Sequence, residues 1–164
     1  TEHADLFWGV RGGGGNFGVV TSFKYRLHPV GAVLGGLVFH PFENAKDVLK
    51  FYRDFSGATH DQLTTYAALL TSPDGAKVVV IGVCYTGALE DGERLVAPVR
   101  KFGPPLMDQI RPMAYTELQT TFDAGFPPRN QYYEKVHFLR EIRDEAISLL
   151  IDDFARVSSP LSAL

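Results

Sequence analysis

Cysteine is almost missing from this chain of 164 residues: Cys84 is the only one. A single thiol excludes an internal disulfide framework and any metal site built from cysteine alone. The histidines His3, His28, His40 and His60 show no close ligand spacing such as H-x3-H, so they do not suggest a zinc site. Basic charge is also short. Sixteen Lys and Arg stand against nineteen Asp and Glu, a formal net charge of −3. No basic surplus is present to draw the chain to nucleic acid or to an anionic membrane. No apolar run approaches the ~20 residues of a bilayer span. A P-loop, a nucleophile elbow and a short-period repeat are all lacking. The opening Thr1-Glu2-His3 carries neither an initiator Met nor a signal-peptide pattern. The chain is therefore expected to be a piece of a longer polypeptide, and localisation is not legible from this end.

Ordinary globular material is what remains. Apolar residues make up 45% and charged residues 21%, a composition that excludes wholesale disorder. A chain of this size buries roughly 68–70% of the surface its unfolded form exposes, so a core forms without disulfides.

Period and punctuation predict the elements. Leu6, Phe7 and Val10 fall at helical spacing and run into Gly12-Gly13-Gly14-Gly15. From Val19 to His28 the residues alternate, with Val19, Thr21, Phe23, Tyr25 and Leu27 on one side, which predicts a strand with one buried face, stopped by Pro29. Val33–His40 reads as a strand apolar on both faces. A helix follows, with Ala45, Val48, Leu49 and Tyr52 as its stripe. Leu63–Thr71 and Val78–Tyr85 read as a hairpin across the Ser72-Pro73-Asp74-Gly75 turn. Glu90–Phe102 reads as a helix interrupted by Pro98, and Leu106–Arg111 as a short strand. The order β-α-β-β-α-β predicts an α+β, ferredoxin-like antiparallel sheet with helices on one face. Further on, a short helix at Tyr115–Asp123, a strand at Tyr132–Leu139 and a helix at Arg143–Val157 start the β-α order a second time. The boundary between two units falls near Pro29–Ala32. Residues 1–30 are then one unit and residues 31–164 the other.

Gly13, Gly15 and Gly18 satisfy G-x-G-x-x-G. The dinucleotide-binding version of that pattern needs a strand before it and a helix after it. Here the helix comes first, which excludes that reading. Four glycines in a row suit a linker, but Phe7, Trp8 and Phe17 flank the run and predict a packed turn. Glycine permits positive φ and close approach of a bulky ligand to bare backbone. Free N–H groups in such a turn hydrogen-bond a phosphate or the edge of a flavin ring.

The stretch Asp5-Leu6-Phe7-Trp8-Gly9-Val10-Arg11-Gly12-Gly13-Gly14-Gly15-Asn16-Phe17-Gly18-Val19-Val20-Thr21 resembles a signature of FAD-linked oxidases, the berberine-bridge-enzyme-like branch of the vanillyl-alcohol-oxidase (PCMH-type) superfamily. Pro112–Gln119, Phe122-Asp123 and Lys135–Leu139 resemble, more loosely, substrate-domain segments of the same family. The resemblance implies that residues 1–30 end an FAD-binding domain and that 31–164 belong to a substrate-binding domain, whose sheet faces the flavin with one side. It implies cofactor contact at Gly13, Gly14, Asn16, Phe17, Gly18 and Val19, with Asn16 bracing the turn through its amide. It implies FAD as cofactor, a small-molecule substrate that gives a hydride to it, and O2 or another electron acceptor. The family's upstream pyrophosphate loop, its flavin-tethering His and Cys and its C-terminal catalytic segment have no counterpart in these residues. No catalytic residue is assigned, and the 164 residues alone are expected to be inactive and to hold FAD weakly or not at all.

In the strand predicted at Tyr132–Leu139, Tyr133, Lys135 and His137 share one side and are candidates to line the substrate pocket, with Tyr66 and Tyr85 beside them. A solvated sheet face explains the same pattern. The competing reading of the whole chain is a stand-alone ferredoxin-like binding or dimerisation module without catalysis, in which residues 1–18 are a tail. Surface left uncovered in a partial chain predicts an oligomer or a sheet-edge pairing.

Overall fold

The computed structural model describes residues 2–125, 128, 130–131, 133–159 and 161–163. Helix α1, Ala4–Val10, runs into a tight 3-10 turn at Gly14–Phe17. The sheet domain begins with β1, Ala32–Pro41, and crosses through α2, Ala45–Ser56. The hairpin β2, Leu63–Thr71, and β3, Lys77–Tyr85, follows, then α3, Leu89–Lys101. Two short strands, β4 at Met107–Asp108 and β5 at Arg111–Ala114, lead into α4, Tyr115–Gln119. The last helix, α5, is Asp144–Ala155.

The strands form one antiparallel sheet in the order β2-β3-β1-β4, with β5 also on β1. This is the α+β, ferredoxin-like arrangement that the β-α-β-β-α-β order predicts. The hairpin closes at the predicted turn, where the Gly75 N–H donates to the Ser72 carbonyl at 2.8 Å.

Alternation along the strands divides the sheet into two faces. Leu34, Val38, Leu63, Leu69, Val79, Ile81, Val83 and Tyr85 point to the helices, where Val48 of α2, Val96 and Val99 of α3, and Ile147 and Phe154 of α5 complete the core. α3 runs through Pro98, which has no N–H to offer the carbonyl four residues back. α5 is fastened at both ends. Its Asp144 carboxylate meets Lys50 and Arg53 of α2, each at 2.6 Å. At its other end Lys77 Nζ donates to the carbonyls of Phe154 at 2.9 Å and Ala155 at 2.6 Å. A cation on the last carbonyls of a helix complements both the orphan acceptors and the helix dipole. One of the partners of Asp144, Arg53, lies 91 residues away in sequence.

Three expectations need correction. The strand expected at Val19–His28 does not form. These residues have no regular structure and pair with no strand, and Val19 and Leu27 are 91% and 88% exposed. Alternation needs a partner edge before it becomes a strand, and none meets this stretch among the described residues. The strand expected at Tyr132–Leu139 is likewise absent from residues 133–139; Tyr132 lies outside the described residues. The strand expected at Leu106–Arg111 is broken in two, because Asp108 Oδ1 accepts the Ile110 N–H at 2.9 Å and draws the chain into a turn between β4 and β5. His40, near the end of β1, is buried on the helix side with its ring edge-on to Phe102.

Candidate functional site

The glycine turn is built around Phe17. Its ring fills the space beside Gly9 and Gly13: a Cβ on Gly13 would stand 2.3 Å from the Phe17 ring and 2.3 Å from the Gly9 carbonyl. The Gly13 N–H donates to that carbonyl at 3.1 Å. Asn16 Nδ2 donates to the Gly13 carbonyl at 2.9 Å, so the amide closes the turn from the other side. Gly12, Gly14 and Gly18 have φ of 110°, 64° and 126°, values that side chains with a Cβ rarely tolerate. A Cβ at Gly12, Gly14, Gly15 or Gly18 would meet nothing within 4 Å among the described residues. One side of the turn is thus plugged by an aromatic ring and the other is bare main chain. Arg11 does not reach into the turn; its guanidinium lies 5.0 Å from the centre of the Phe7 ring.

The second region is the sheet face away from the helices. Leu37, Val78 and Val80 are buried there, with Phe39, Tyr66 and Leu70 packed around them. Tyr66 stands opposite Gly82 on β3. Its ring occupies the room the missing side chain leaves, and Phe122 meets it edge-on at 5.6 Å. Burial pushes the Tyr66 phenol up to about 12. At neutral pH it is therefore a hydrogen-bond donor and not a base. Cys84 is half-buried on the same face, and burial pushes its thiol up as well, away from the reactive thiolate form. Beside these, a hollow of about 400 Å³ is lined by Leu37, Gln109, Arg111, Met113, Glu117 and Thr121, with Arg111 and Glu117 paired across it. Arg100 stiffens its rim, donating to the Ile110 carbonyl at 2.9 Å and pairing with Asp108 at 2.7 Å.

The residues expected from the sequence are distributed unevenly. Gly13, Gly14, Asn16, Phe17 and Gly18 form one turn, and Val19 leaves it fully exposed. Tyr85 faces the helix core, 3% exposed, and is not on the Tyr66 face. Tyr133, Lys135 and His137 lie in an exposed stretch without a strand, where Lys135 Nζ stands 5.8 Å from the centre of the Tyr133 ring. Sequence reasoning did not find the hollow beside Arg111, Glu117 and Gln109. It forms where β1, the β4–β5 link and α4 converge, and only the opposed positions along β1 bring those residues together. Among the described residues no group of three or more His, Cys, Asp or Glu is placed to hold a metal ion.

An antiparallel ferredoxin-like sheet is shared by many unrelated proteins and by itself defines no activity. No family model matches the chain. An FAD-linked oxidoreductase of Dictyostelium discoideum is 28% identical over 154 residues, covering 93% of this chain and 33% of that protein. The FAD-linked oxidoreductase pgmH of Aspergillus terreus is 33% identical over 108 residues, 63% of this chain and 22% of its own length. The FAD-linked oxidoreductase YgaK of Bacillus subtilis is 24% identical over 153 residues, 92% and 34%. Among solved structures, 6-hydroxy-D-nicotine oxidase from Arthrobacter nicotinovorans matches with a TM-score of 0.59 and 24% identity, over 96% of this chain and 28% of the other; this likeness shows the fold. Over more than nine-tenths of its length the chain is similar to proteins named FAD-linked oxidoreductases. It spans about a third of the length of the first of these relatives.

Proposed function

We propose that this chain is the part of a flavin-dependent oxidoreductase in which the end of the FAD-binding domain, residues 1–30, meets the substrate-binding domain, residues 31–164. The observation that carries the reading is the two-sided turn. Phe17 and Asn16 fix it from within, and its outer side is main chain with no Cβ in the way. Such a surface fits a large planar group lying flush against it, so Gly13, Gly14, Asn16, Phe17, Gly18 and Val19 are the residues that would hold FAD. When bound, the flavin supplies the hydride acceptor, and O2 or another acceptor takes the electrons on.

The protein's own part is positioning. The Tyr66 face is apolar at its centre and carries few polar groups at its edge, the usual make-up of a small-molecule site. It suits a small organic substrate with an oxidisable alcohol, sugar or amine-type carbon. Tyr66, protonated at neutral pH, offers a hydrogen bond to a substrate oxygen or nitrogen and does not take a proton from it. Phe39 and Leu37 keep water from that centre.

The test is spectroscopic. The natural polypeptide that carries residues 1–164 is purified and examined for the flavin absorption band, and its reduction is followed with a panel of alcohols, sugars and amines. Bound flavin that bleaches with one of these classes supports the reading. A polypeptide that carries no flavin and takes none up on reconstitution refutes it and leaves the ferredoxin-like binding or dimerisation module in its place. The 164 residues by themselves are expected to hold flavin weakly or not at all and to show no turnover.

A further inference from the structure

The hollow of about 400 Å³ between β1, the β4–β5 link and α4 has an apolar floor and a polar wall. Leu37, Ile110 and Met113 make the floor and are buried. Gln109, Arg111 and Glu117 stand around it and are exposed. The backbone keeps this shape because β1 is bare at Gly36. Its φ is 145°, and a Cβ there would stand 2.3 Å from the Gln109 carbonyl oxygen, so the link lies directly against the strand.

Four charged groups border the hollow or its rim. Two of them are committed to the backbone. Asp108 accepts the Ile110 N–H at 2.9 Å and pairs with Arg100 at 2.7 Å, and Arg100 donates to the Ile110 carbonyl at 2.9 Å. The other two, Arg111 and Glu117, hold each other, and Arg111 also reaches the Pro112 carbonyl at 3.4 Å. They are not equivalent. Arg111 projects from β5, where its register opposite Gly35 of β1 is fixed. Glu117 projects from α4, which Leu118 seats over Gly35. The pair is exposed, by 56% at Arg111 and 49% at Glu117, and water solvates the separated partners nearly as well, so little is lost when it opens. Rotation about the Glu117 side-chain bonds, with α4 in place, leaves the guanidinium beside an apolar floor. Gln109 adds a donor: its Nε2 meets only the Met107 sulfur, at 3.0 Å, among the described residues, and a thioether is a weak acceptor.

We propose that this hollow binds a small organic carboxylate, with Arg111 as its receptor and Glu117 as the stand-in that the ligand's carboxylate displaces. The planar guanidinium fork matches a carboxylate with two parallel hydrogen bonds. Glu117 already uses that geometry, with both of its carboxylate oxygens on Arg111. Exchange of one carboxylate for another keeps Arg111 paired and returns Glu117 to water. Burial of the ligand's apolar body on Leu37, Ile110 and Met113 supplies the gain. Binding itself needs no cofactor. Its consequence rests on the flavin reading. Leu37 belongs both to this floor and to the cluster around Tyr66, and Thr121 at the wall precedes Phe122, which meets the Tyr66 ring. A substrate anchored by its carboxylate at Arg111 extends its oxidisable carbon across the Tyr66 face, which narrows the substrate class to hydroxy- or amino-carboxylates.

Calorimetric titration of the natural polypeptide that carries residues 1–164 tests this with three probes that share one ring: benzoate, benzamide and benzylammonium. Benzoate is expected to bind at least about tenfold more tightly than the other two, as a charge-assisted pair requires. Arg111→Gln is expected to weaken benzoate at least about tenfold. Arg111→Lys, which keeps the charge without the fork, should weaken it less. Glu117→Gln should tighten it at least about threefold by removing the competing carboxylate. Circular dichroism confirms that each variant is folded, and gain in one variant with loss in another does not arise from a loosened fold. Benzoate binding that is equal in the unaltered polypeptide and in Arg111→Gln, or absent in Glu117→Gln, overturns the proposal. A preference for benzylammonium that is lost in Glu117→Gln also overturns it and makes Glu117 the receptor of a cation. Neither flavin content nor turnover enters these titrations, so failure here is distinct from failure of the flavin assignment.

Discussion

The Tyr66 ring lies across Gly82, in the space a side chain on the neighbouring strand would fill. The two residues are directly opposed on β2 and β3, and a Cβ on Gly82 would stand 2.1 Å from the Tyr66 Cζ. Gly82→Ala therefore drives the ring off its seat and away from Phe122, at a cost of about 1–3 kcal/mol, the usual range for overpacking. Thermal or urea unfolding measures the loss. Because the clash is with one ring, Tyr66→Ala should make Gly82→Ala nearly neutral, and a double-mutant cycle should return a coupling well above 0.5 kcal/mol in size. Additive costs would show that Gly82 is required by the backbone instead.

The attachment of α5 predicts a graded series. Phe154 is fully buried between Phe42 and Lys77. Phe154→Ala should cost about 3–5 kcal/mol in unfolding free energy. Lys77→Met keeps much of the aliphatic stem but withdraws the donors from the Phe154 and Ala155 carbonyls, and should cost about 1 kcal/mol or more. Equal effects from the two variants would mean that the helix end, and not the core contact, decides whether α5 stays docked.

Acid stability separates two groups by their windows. His40 is buried, with no partner on Nε2 among the described residues, and burial lowers its pKa from the ordinary value of 6.5. The folded state thus takes up its proton at a lower pH than the unfolded chain does. Above about pH 6.5 both are neutral and His40 adds no slope; below it, stability falls by up to about 1.4 kcal/mol per pH unit until the folded group also protonates. Asp144 is held below its ordinary 3.8 by Lys50 and Arg53. Its contribution is present above that value and is lost as pH falls through the lower, folded value. Denaturant midpoints measured from pH 7 to pH 5 should decline in the unaltered chain and flatten in His40→Leu. Asp144→Asn should leave that window's slope unchanged.

How much of this was legible follows from where each signal is stored. The ferredoxin-like order needs only local information: Val33–His40 is apolar on both faces, Ser72–Gly75 is a turn by composition, and Val48 and Leu49 fix a helix face. Pairing across the sheet then follows from chain connectivity. Val19–Leu27 and Tyr133–Leu139 alternate as strongly as β2 does. Alternation records that a residue suits a pleated, half-buried surface, and it does not say which edge receives it. The hollow beside Arg111 and Glu117 was illegible for a related reason, since it depends on Asp108 turning the chain between β4 and β5. In the glycine run, the unbroken string announced bare backbone. The burial of Gly9 under Phe17 could not be read from it.

The turn gives the last prediction, and it distinguishes shape from contact. Gly13→Ala puts a methyl group where the Phe17 ring and the Gly9 carbonyl already are, so the turn itself must open. Asn16→Ala removes the hydrogen bond to the Gly13 carbonyl and loosens the same turn by about 1 kcal/mol. Gly15→Ala differs from both: its added Cβ meets no atom of the described residues within 4 Å, and its φ is not positive. The chain's own structure should tolerate it, with a change in unfolding free energy within about 0.5 kcal/mol. If a planar cofactor lies against the outer side, Gly15→Ala should nevertheless lower flavin occupancy in the natural polypeptide, because the methyl group stands between the backbone and the ring. Flavin-to-protein absorbance ratios on purified variants read this directly. Full occupancy in Gly15→Ala, together with loss in Gly13→Ala, would mean that only the integrity of the turn matters and that its outer side touches no cofactor at that position.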